Sequence, residues 1–261
     1  MMLSAGRCFV YAERRMGKTS LIQQALVKLP IQQCLPVYID LWPTDGSASF
    51  ATATARALAL ASETKAGRLL DLAKSLFGRL RPSVTVDDRG QPTVEFGMDA
   101  VRAGEPDLRE VLEAPQEVAR RVKKTVVVVF DEFQQITQYD NDLTERLLRS
   151  SIQHHKNVAY LFVGSRKHLL QNMFLDQSRP LYRAAAHYPL GPIATDHWQP
   201  FVASRFRKAK KRISKQCITR ICEQTQGHPF YTQHLCHVLW SMVEGGDAVD
   251  EASIDRAVSE L

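Results

Sequence analysis

The stretch Y-A-E-R-R-M-G-K-T-S-L at residues 11–21 decides how the rest of this sequence is read. Residues 12–19 differ at one position from G-x-x-x-x-G-K-[ST], the pattern typical of a phosphate-binding loop, because alanine stands first, as Ala12. The short apolar segment 7–12 predicts a strand before the loop, and the helical periodicity that starts at Lys18 predicts a helix after it. A loop between a strand and a helix is the context in which this pattern predicts phosphate binding.

This predicted loop contains the groups that hold the phosphates of a nucleotide. Backbone N–H groups of a tight loop, together with the N-terminus of the next helix, form a concave donor surface for phosphate. Gly17 allows close approach of the backbone, Lys18 brings a positive charge to the β- and γ-phosphates, and Thr19 offers a hydroxyl to Mg²⁺. Because the methyl group of Ala12 takes up little space, we expect the loop to bind the phosphates of a nucleotide. The predicted nucleotide ligands here are Ala12, Glu13, Arg14, Arg15, Met16, Gly17, Lys18, Thr19 and Ser20.

Two acidic residues follow a segment that predicts a fully buried strand. Residues 125–133, T-V-V-V-V-F-D-E-F, show no alternation, and such a β-branched run is typical of a strand covered on both faces. Parallel α/β sheets bind ligands at the carboxyl ends of their strands. We therefore expect Asp131 to hold Mg²⁺ through water and Glu132 to orient and deprotonate an attacking water. The alternative is a helix cap followed by a solvated acid.

The order of the predicted elements indicates an α/β fold. Five predicted strands alternate with helices, which argues for a doubly wound parallel sheet. Residues 83–97 alternate on both sides of a D-D-R-G-Q-P turn and predict a hairpin insertion. After residue 193 only helices are predicted, so the expected domains are 1–193 and 194–261. The five strands are predicted at 7–12, 34–42, 125–133, 157–165 and 187–193.

Composition excludes some classes of protein and leaves others open. The sequence has no apolar run near the ~20 residues that a membrane helix needs, so no membrane partner is expected. The five cysteines form no C-x-x-C pair, which favours reduced thiols in a cytoplasm. The net charge of +6 permits an anionic partner and does not require one, because a bound nucleotide also favours a basic cleft.

Four segments together resemble the archaeal-type ATPase group within the STAND class of P-loop NTPases, which are relatives of AAA+ proteins. The resemblance runs over nearly the whole chain. It implies a sheet ordered 5-1-4-3-2 and flanked by helices, a small all-helical lid domain after it, and ATP bound between the two. The segments are Y-A-E-R-R-M-G-K-T-S-L (11–21), V-V-V-V-F-D-E-F-Q-Q-I (126–136), L-F-V-G-S-R-K-H-L-L (161–170) and T-Q-G-H-P-F-Y-T-Q-H-L-C-H-V-L-W (225–240).

The resemblance also implies roles for residues outside the loop. Gly227 and Pro229 would begin a lid helix near the adenine. Ser165 or Arg166, at the end of the fourth strand, would reach the γ-phosphate or the lytic water. Arg183, just before the fifth strand, could act on the nucleotide of a neighbouring chain. From the residues alone, Arg166 could equally open the next helix at the surface, and Arg183 could form a structural salt bridge.

The function implied is that of a Mg²⁺-dependent ATPase in which hydrolysis of ATP resets the position of the lid. A protein partner, or a second copy of the chain that associates through the lid, would respond to that position. Relatives usually carry a segment before the first strand and a winged-helix domain after the lid, whereas this sequence begins close to its first strand and ends at Leu261. One alternative is a binding module that holds ATP or ADP with little turnover. Another is a DNA-linked, initiator-like ATPase, which only the basic run 205–212 supports. Trp198 and Trp240 are predicted in the core of the lid.

Overall fold

A computed structural model of the chain describes residues 2–63, 65–97, 105–139, 141–244 and 246–259, without the side chains of residues 3, 105 and 106. The chain divides into two compact units. The first consists of Met1–Glu13 and Lys18–Pro189, and the second of Arg14–Gly17 and Leu190–Leu261. The expectation that 194–261 is a separate lid domain stays a prediction.

A five-stranded parallel sheet forms the centre of the first unit. Its strands lie in the spatial order β2-β5-β6-β1-β7, and every neighbouring pair is parallel. When these five strands alone are counted along the chain, the order is 5-1-4-3-2, so the predicted α/β fold is confirmed. The strands are β1 (Arg7–Tyr11), β2 (Cys34–Asp40), β5 (Thr125–Asp131), β6 (Val158–Gly164) and β7 (Ala186–Pro189).

Helices flank the sheet and fill most of the connections between its strands. Short 3₁₀ turns at Met2–Ser4, Gly78–Leu80 and Phe133–Gln138 complete the first unit. The helices of this unit are α1 (Lys18–Val27), α2 (Ser47–Ser62), α3 (Ala66–Phe77), α4 (Glu105–Val122), α5 (Leu143–Ile152) and α6 (Lys167–Leu175).

The hairpin β3 (Pro82–Val86) and β4 (Pro92–Phe96) forms a two-stranded antiparallel sheet of its own, in the segment where the alternation predicts one. Val94 is buried in the hydrophobic core of the first unit, and its carbonyl accepts a 2.9 Å hydrogen bond from Arg56 Nε of α2. The hairpin is therefore packed against the helical layer and does not extend the central sheet.

The central strands β5 and β6 are covered on both faces because nearly every residue in them is apolar. All seven residues of β6 and six of the seven in β5 are buried. Phe130, Phe133, Phe162 and Phe174 pack together, with ring centres 4.5 to 6.1 Å apart along the contacting pairs. This packing fixes the carboxyl ends of both strands, where the predicted site residues lie.

In the second unit, helices α7 (Thr195–Lys208), α8 (Lys215–Gln224), α9 (Pro229–Met242) and α10 (Glu251–Ser259) enclose a separate core. Trp198 lies in it at 4% exposure, as predicted. The prediction for Trp240 is wrong, because its side chain is 41% exposed, with Lys211 Nζ 4.1 Å from the ring centre. Leu235 and Leu239 occupy the core face of α9, and Trp240 is about 100° further round the helix.

A polar cluster around the buried His155 links α4 to β6 in the first unit. His155 is only 5% exposed; its Nδ1 lies 2.7 Å from the Tyr160 hydroxyl, and its Nε2 lies 3.2 Å from Glu113 Oε2. Burial lowers the pKa of His155, and the Glu113 carboxylate partly offsets this effect. The imidazole is therefore neutral in the folded protein at pH 7.

We expect this histidine to make the stability of the protein depend on pH. Because the folded pKa is depressed, the unfolded chain binds more protons below about pH 6.5, and the free energy of unfolding falls as the pH falls. The contribution is at most about 1.4 kcal/mol per pH unit. Urea unfolding between pH 5.5 and 8 should show a smaller slope for His155→Gln than for the wild type. The exposed neighbour His154 supplies the control variant His154→Gln, and equal slopes for all three proteins would contradict the prediction.

Candidate nucleotide-binding site

The loop after β1 keeps its glycine where the backbone needs one. Gly17 has φ +76° and Arg15 has φ +64°, both in the left-handed region that favours glycine. A Cβ at Gly17 would meet no atom within 4 Å, so glycine is required there for its backbone conformation and not for space. Ala12 is buried and its φ is not positive, so an alanine meets no conformational penalty at the first position of the motif. The departure from the usual pattern thus leaves the backbone of the loop intact.

Lys18, the first residue of α1, turns its side chain back to the loop. It is only 6% exposed, and its ammonium donates to the carbonyl oxygens of Glu13 at 2.7 Å and Ala12 at 3.2 Å. Burial lowers the pKa of Lys18, and the carboxylates of Glu132 and Asp131 oppose that shift. The charge of Lys18 is therefore held in the loop, in the field of both acids.

Asp131 receives three hydrogen bonds at the end of β5. Its Oδ2 accepts from Thr19 Oγ1 at 2.7 Å and from the Tyr38 hydroxyl at 2.5 Å, and its Oδ1 accepts from the backbone N–H of Glu132 at 2.9 Å. The predicted pair Thr19 and Asp131 is thus in direct contact. A hydroxyl and a carboxylate are oxygen donors of the kind that Mg²⁺ takes, so these two residues fit a magnesium ion.

Tyr38 is a site residue that the sequence prediction missed. It lies on β2, which pairs in register with β5, so that Asp40 is opposite Asp131. Burial and the hydrogen bond to Asp131 both raise the pKa of Tyr38, and the phenol stays protonated as a donor. The available signal was the position of the Y-I-D triplet at the carboxyl end of a strand next to β5.

Glu132 has an unusual backbone conformation, with φ +51° and ψ +40°. Its Oε2 accepts a 2.9 Å hydrogen bond from Ser165 Oγ and a second hydrogen bond from Gln134 Nε2. Ser165 directly follows β6, the strand beside β5, so the predicted site residues Glu132 and Ser165 meet at the carboxyl ends of these two strands. Gln134 was not predicted.

In the part of the chain that the structure describes, Arg166 and Arg183 form no hydrogen bond or ion pair with the other candidate site residues. Arg166 is half-buried at the N-terminus of α6. Arg183 is exposed with φ +52°, its N–H donates to the Phe174 carbonyl at 2.9 Å, and its guanidinium lies 5.1 Å from the Tyr182 ring centre. Since Arg183 forms no ion pair with a described residue, the salt-bridge alternative has no support.

Gly227 and Pro229 have clear structural roles between α8 and α9 of the second unit. Gly227 has φ +67°, and a Cβ there would lie 2.4 Å from the Ile193 carbonyl oxygen. Its N–H donates to Cys222 O at 2.9 Å, and Pro229 is the first residue of α9. The predicted nearness of both residues to adenine stays a prediction. In the same unit the Arg15 guanidinium lies 4.3 Å from the centre of the Phe230 ring.

Residues 5–235 of the sequence match the model of a family described as an ATPase domain predominantly from Archaea. The chain belongs to this ATPase family. The predicted resemblance to an archaeal-type ATPase family is thereby confirmed. The more specific assignment to the STAND class stays a prediction. No curated protein sequence matches the chain.

Solved structures resemble this member of the archaeal-type ATPase family in fold. A Walker-type ATPase of Pyrococcus abyssi has a TM-score of 0.60 at 18% identity, over 97% of this chain and 65% of that one. The ORC2 protein of Aeropyrum pernix, solved in ADPNP–ADP complexes, has a TM-score of 0.54 at 14% identity, over 100% and 63%. A point mutant of RuvB from Thermotoga maritima has a TM-score of 0.52 at 12% identity, over 98% and 62%. The chain spans less than two thirds of the length of each.

Two further observations bear on this ATPase-family chain. None of its described helices is long and apolar enough to cross a membrane. The five cysteines are all free thiols, and four of them are buried.

Proposed function

We propose that this protein is a Mg²⁺-dependent ATPase that acts as a nucleotide-driven conformational switch in the cytoplasm. One observation carries the proposal: hydrogen bonds from Thr19 to Asp131 and from Ser165 to Glu132 hold these polar groups together at the carboxyl ends of the strands. There they lie in the field of the Lys18 ammonium. A positive charge, a hydroxyl–carboxylate pair and a second carboxylate are the groups that phosphoryl transfer from ATP to water requires.

In the proposed reaction, the loop and Lys18 hold the β- and γ-phosphates of ATP. Thr19 and Asp131 would hold Mg²⁺, which supplies charge neutralisation on the phosphate oxygens. Glu132 orients a water molecule and takes its proton while the water oxygen bonds to the γ-phosphorus, and the bond from that phosphorus to the β–γ bridging oxygen breaks. ADP and inorganic phosphate leave. Ser165 keeps the Glu132 carboxylate in place before the attack.

The switch part of the proposal rests on the division of the chain into two compact units. The second unit includes the loop residues Arg14–Gly17 together with Leu190–Leu261. A change in the nucleotide at Arg14–Gly17 would therefore act directly on the second unit. We propose that hydrolysis changes the helical unit and that a protein partner, or a second copy of the chain, responds to that change.

Magnesium should be required for phosphate release from ATP. We expect wild-type protein with excess EDTA, and Asp131→Asn protein with Mg²⁺, to lose ~10²-fold in rate, because metal charge stabilisation is worth several kcal/mol. Asp40→Asn is the matched control, since Asp40 ends the neighbouring strand and contacts the Trp42 N–H instead. Release that continues unchanged in EDTA would contradict the Mg²⁺ requirement. Tight nucleotide binding without any release would favour a nucleotide-holding module.

Loss of Arg166 and loss of Arg183 should affect ATP hydrolysis differently if both arginines act on the γ-phosphate. We propose that Arg166 acts within its own chain and that the exposed Arg183 acts on the nucleotide of a neighbouring chain. Specific activity should then rise with protein concentration, and Arg166→Ala should lower the rate at every concentration. Lys18→Ala protein mixed with Arg183→Ala protein should recover activity, whereas Lys18→Ala mixed with Arg166→Ala should not. A concentration-independent rate without recovery would exclude the action of Arg183 between chains.

A further inference from the structure

Gln134 is buried directly beside the proposed catalytic carboxylate. It lies two residues after Glu132, in the 3₁₀ turn Phe133–Gln138, and is only 2% exposed. Its Nε2 donates to Glu132 Oε2, while its Oε1 is buried without a hydrogen-bond partner among the described residues. Leaving an amide oxygen unpaired typically costs about 1–3 kcal/mol, so the placement of this side chain is not explained by stability.

The end of β6 makes room for this amide. A Cβ at Gly164 would lie 2.1 Å from Gln134 Oε1 and 2.7 Å from Leu170 Cδ1. The backbone of Gly164 is not in the left-handed region, so any residue could adopt its conformation. Glycine is needed at this position for space, and the space is filled by Gln134.

The backbone of Glu132 also favours this contact. Its left-handed conformation costs of order 1–3 kcal/mol for a residue other than glycine, and in this conformation the side chains of Glu132 and Gln134 are in contact. Both donors, Gln134 and Ser165, reach the same oxygen, Oε2. The other carboxylate oxygen, Oε1, receives no hydrogen bond from a described residue, which leaves it for a water molecule.

We propose that Gln134 is a positioning residue for Glu132. Its amide fixes Oε2, so that Oε1 faces the reacting water in one orientation. The inference rests on the proposed catalytic role of Glu132. The adjacent Gln135 has no such role, because its Nε2 donates to the Thr44 carbonyl at 3.0 Å.

The test compares Gln134→Met with Gln135→Met in steady-state ATP hydrolysis. Methionine has nearly the length of glutamine but no amide. We expect Gln134→Met to lower kcat by roughly 10- to 100-fold, a part of what a general base contributes, with KM within about twofold of wild type. Gln135→Met should retain the wild-type kcat and KM.

A second variant removes the contact without changing Gln134. Gly164→Ala places a methyl group where the amide lies, so it should show the same loss of kcat, again with a KM close to that of the wild type. The two changes should not be additive, since either one removes the same hydrogen bond. If Gln134→Met keeps the wild-type kcat, or if the double variant shows the product of the two losses, the inference is wrong.

Failure of the proposed function would be recognised separately. If Glu132→Gln hydrolyses ATP like the wild type, Glu132 is not the base, and the positioning role fails with it. If Glu132→Gln is inactive while Gln134→Met is fully active, the catalytic role stands and the inference about Gln134 alone is overturned. Each variant should keep the thermal unfolding midpoint within a few degrees of wild type, and rates are compared at equal folded concentration.

Discussion

Replacing Lys18 with alanine should remove most of the affinity of this protein for ATP. The ammonium is buried in the loop, where it is held by the carbonyls of Glu13 and Ala12, and it opposes the charges of Asp131 and Glu132. Without this ammonium, the negative charges of Asp131 and Glu132 would repel the triphosphate with no lysine charge to offset them. Charge-assisted hydrogen bonds contribute about 1.5–3 kcal/mol each, so the loss of contacts to two phosphates should weaken binding by ~10²-fold or more.

Calorimetric titration with ATP, in the presence of Mg²⁺, measures this effect directly. Lys28→Ala is the matched control, because Lys28 is an exposed lysine just beyond the end of the same helix. The control should bind ATP with wild-type affinity. If Lys18→Ala also does so, the nucleotide is bound elsewhere and the whole candidate site is wrongly assigned.

The parts of the site that could be predicted are those in which one short segment holds all the required groups. The loop with Gly17, Lys18 and Thr19 is one such segment, and the pair Asp131 and Glu132 at the end of a continuous apolar run is another. Their residue types alone indicate the predicted chemistry, and the strand or helix beside them follows from local periodicity. The contact of Thr19 with Asp131 then follows from the meeting of strand ends in a parallel sheet.

The parts that could not be predicted depend on residues from distant segments. Tyr38 reaches Asp131 from a strand 93 positions away in sequence, and Gln134 fits under Glu132 only because Gly164 leaves the space. No local pattern distinguishes Gln134 from Gln135, although one faces the carboxylate and the other faces Thr44. Side-chain direction in a short 3₁₀ turn is set by the packing around it.

Boundaries of elements were less predictable where backbone chemistry interrupts an apolar pattern. The fifth strand was expected at 187–193, and it ends at Pro189. Proline has no N–H to donate to a ladder, and Pro192 follows three residues later, so pairing cannot continue through this segment. Its position at the edge, beside β1, is the place in a sheet where such a short strand is tolerated.

Glu132→Gln should keep ATP bound and stop its hydrolysis. The oxygen of the new amide can take the place of Oε2 and accept the same hydrogen bonds from Ser165 and Gln134, so the local structure is retained. The amide nitrogen then faces the water, and it cannot take up a proton at neutral pH. General bases contribute 10²- to 10⁴-fold, so the single-turnover rate should fall by ~10²-fold at least.

The experiment loads the variant with radiolabelled ATP and follows both retained nucleotide and released phosphate. Glu95→Gln is the control, since Glu95 is an exposed acid on the hairpin, remote in sequence from the loop, and it should hydrolyse ATP at the wild-type rate. A Glu132→Gln protein that binds ATP and holds it unhydrolysed would establish the base and also provide a trapped state in which a partner of the helical unit could be captured. If turnover survives, the left-handed turn at Glu132 serves only to end β5, and another group must deprotonate the water.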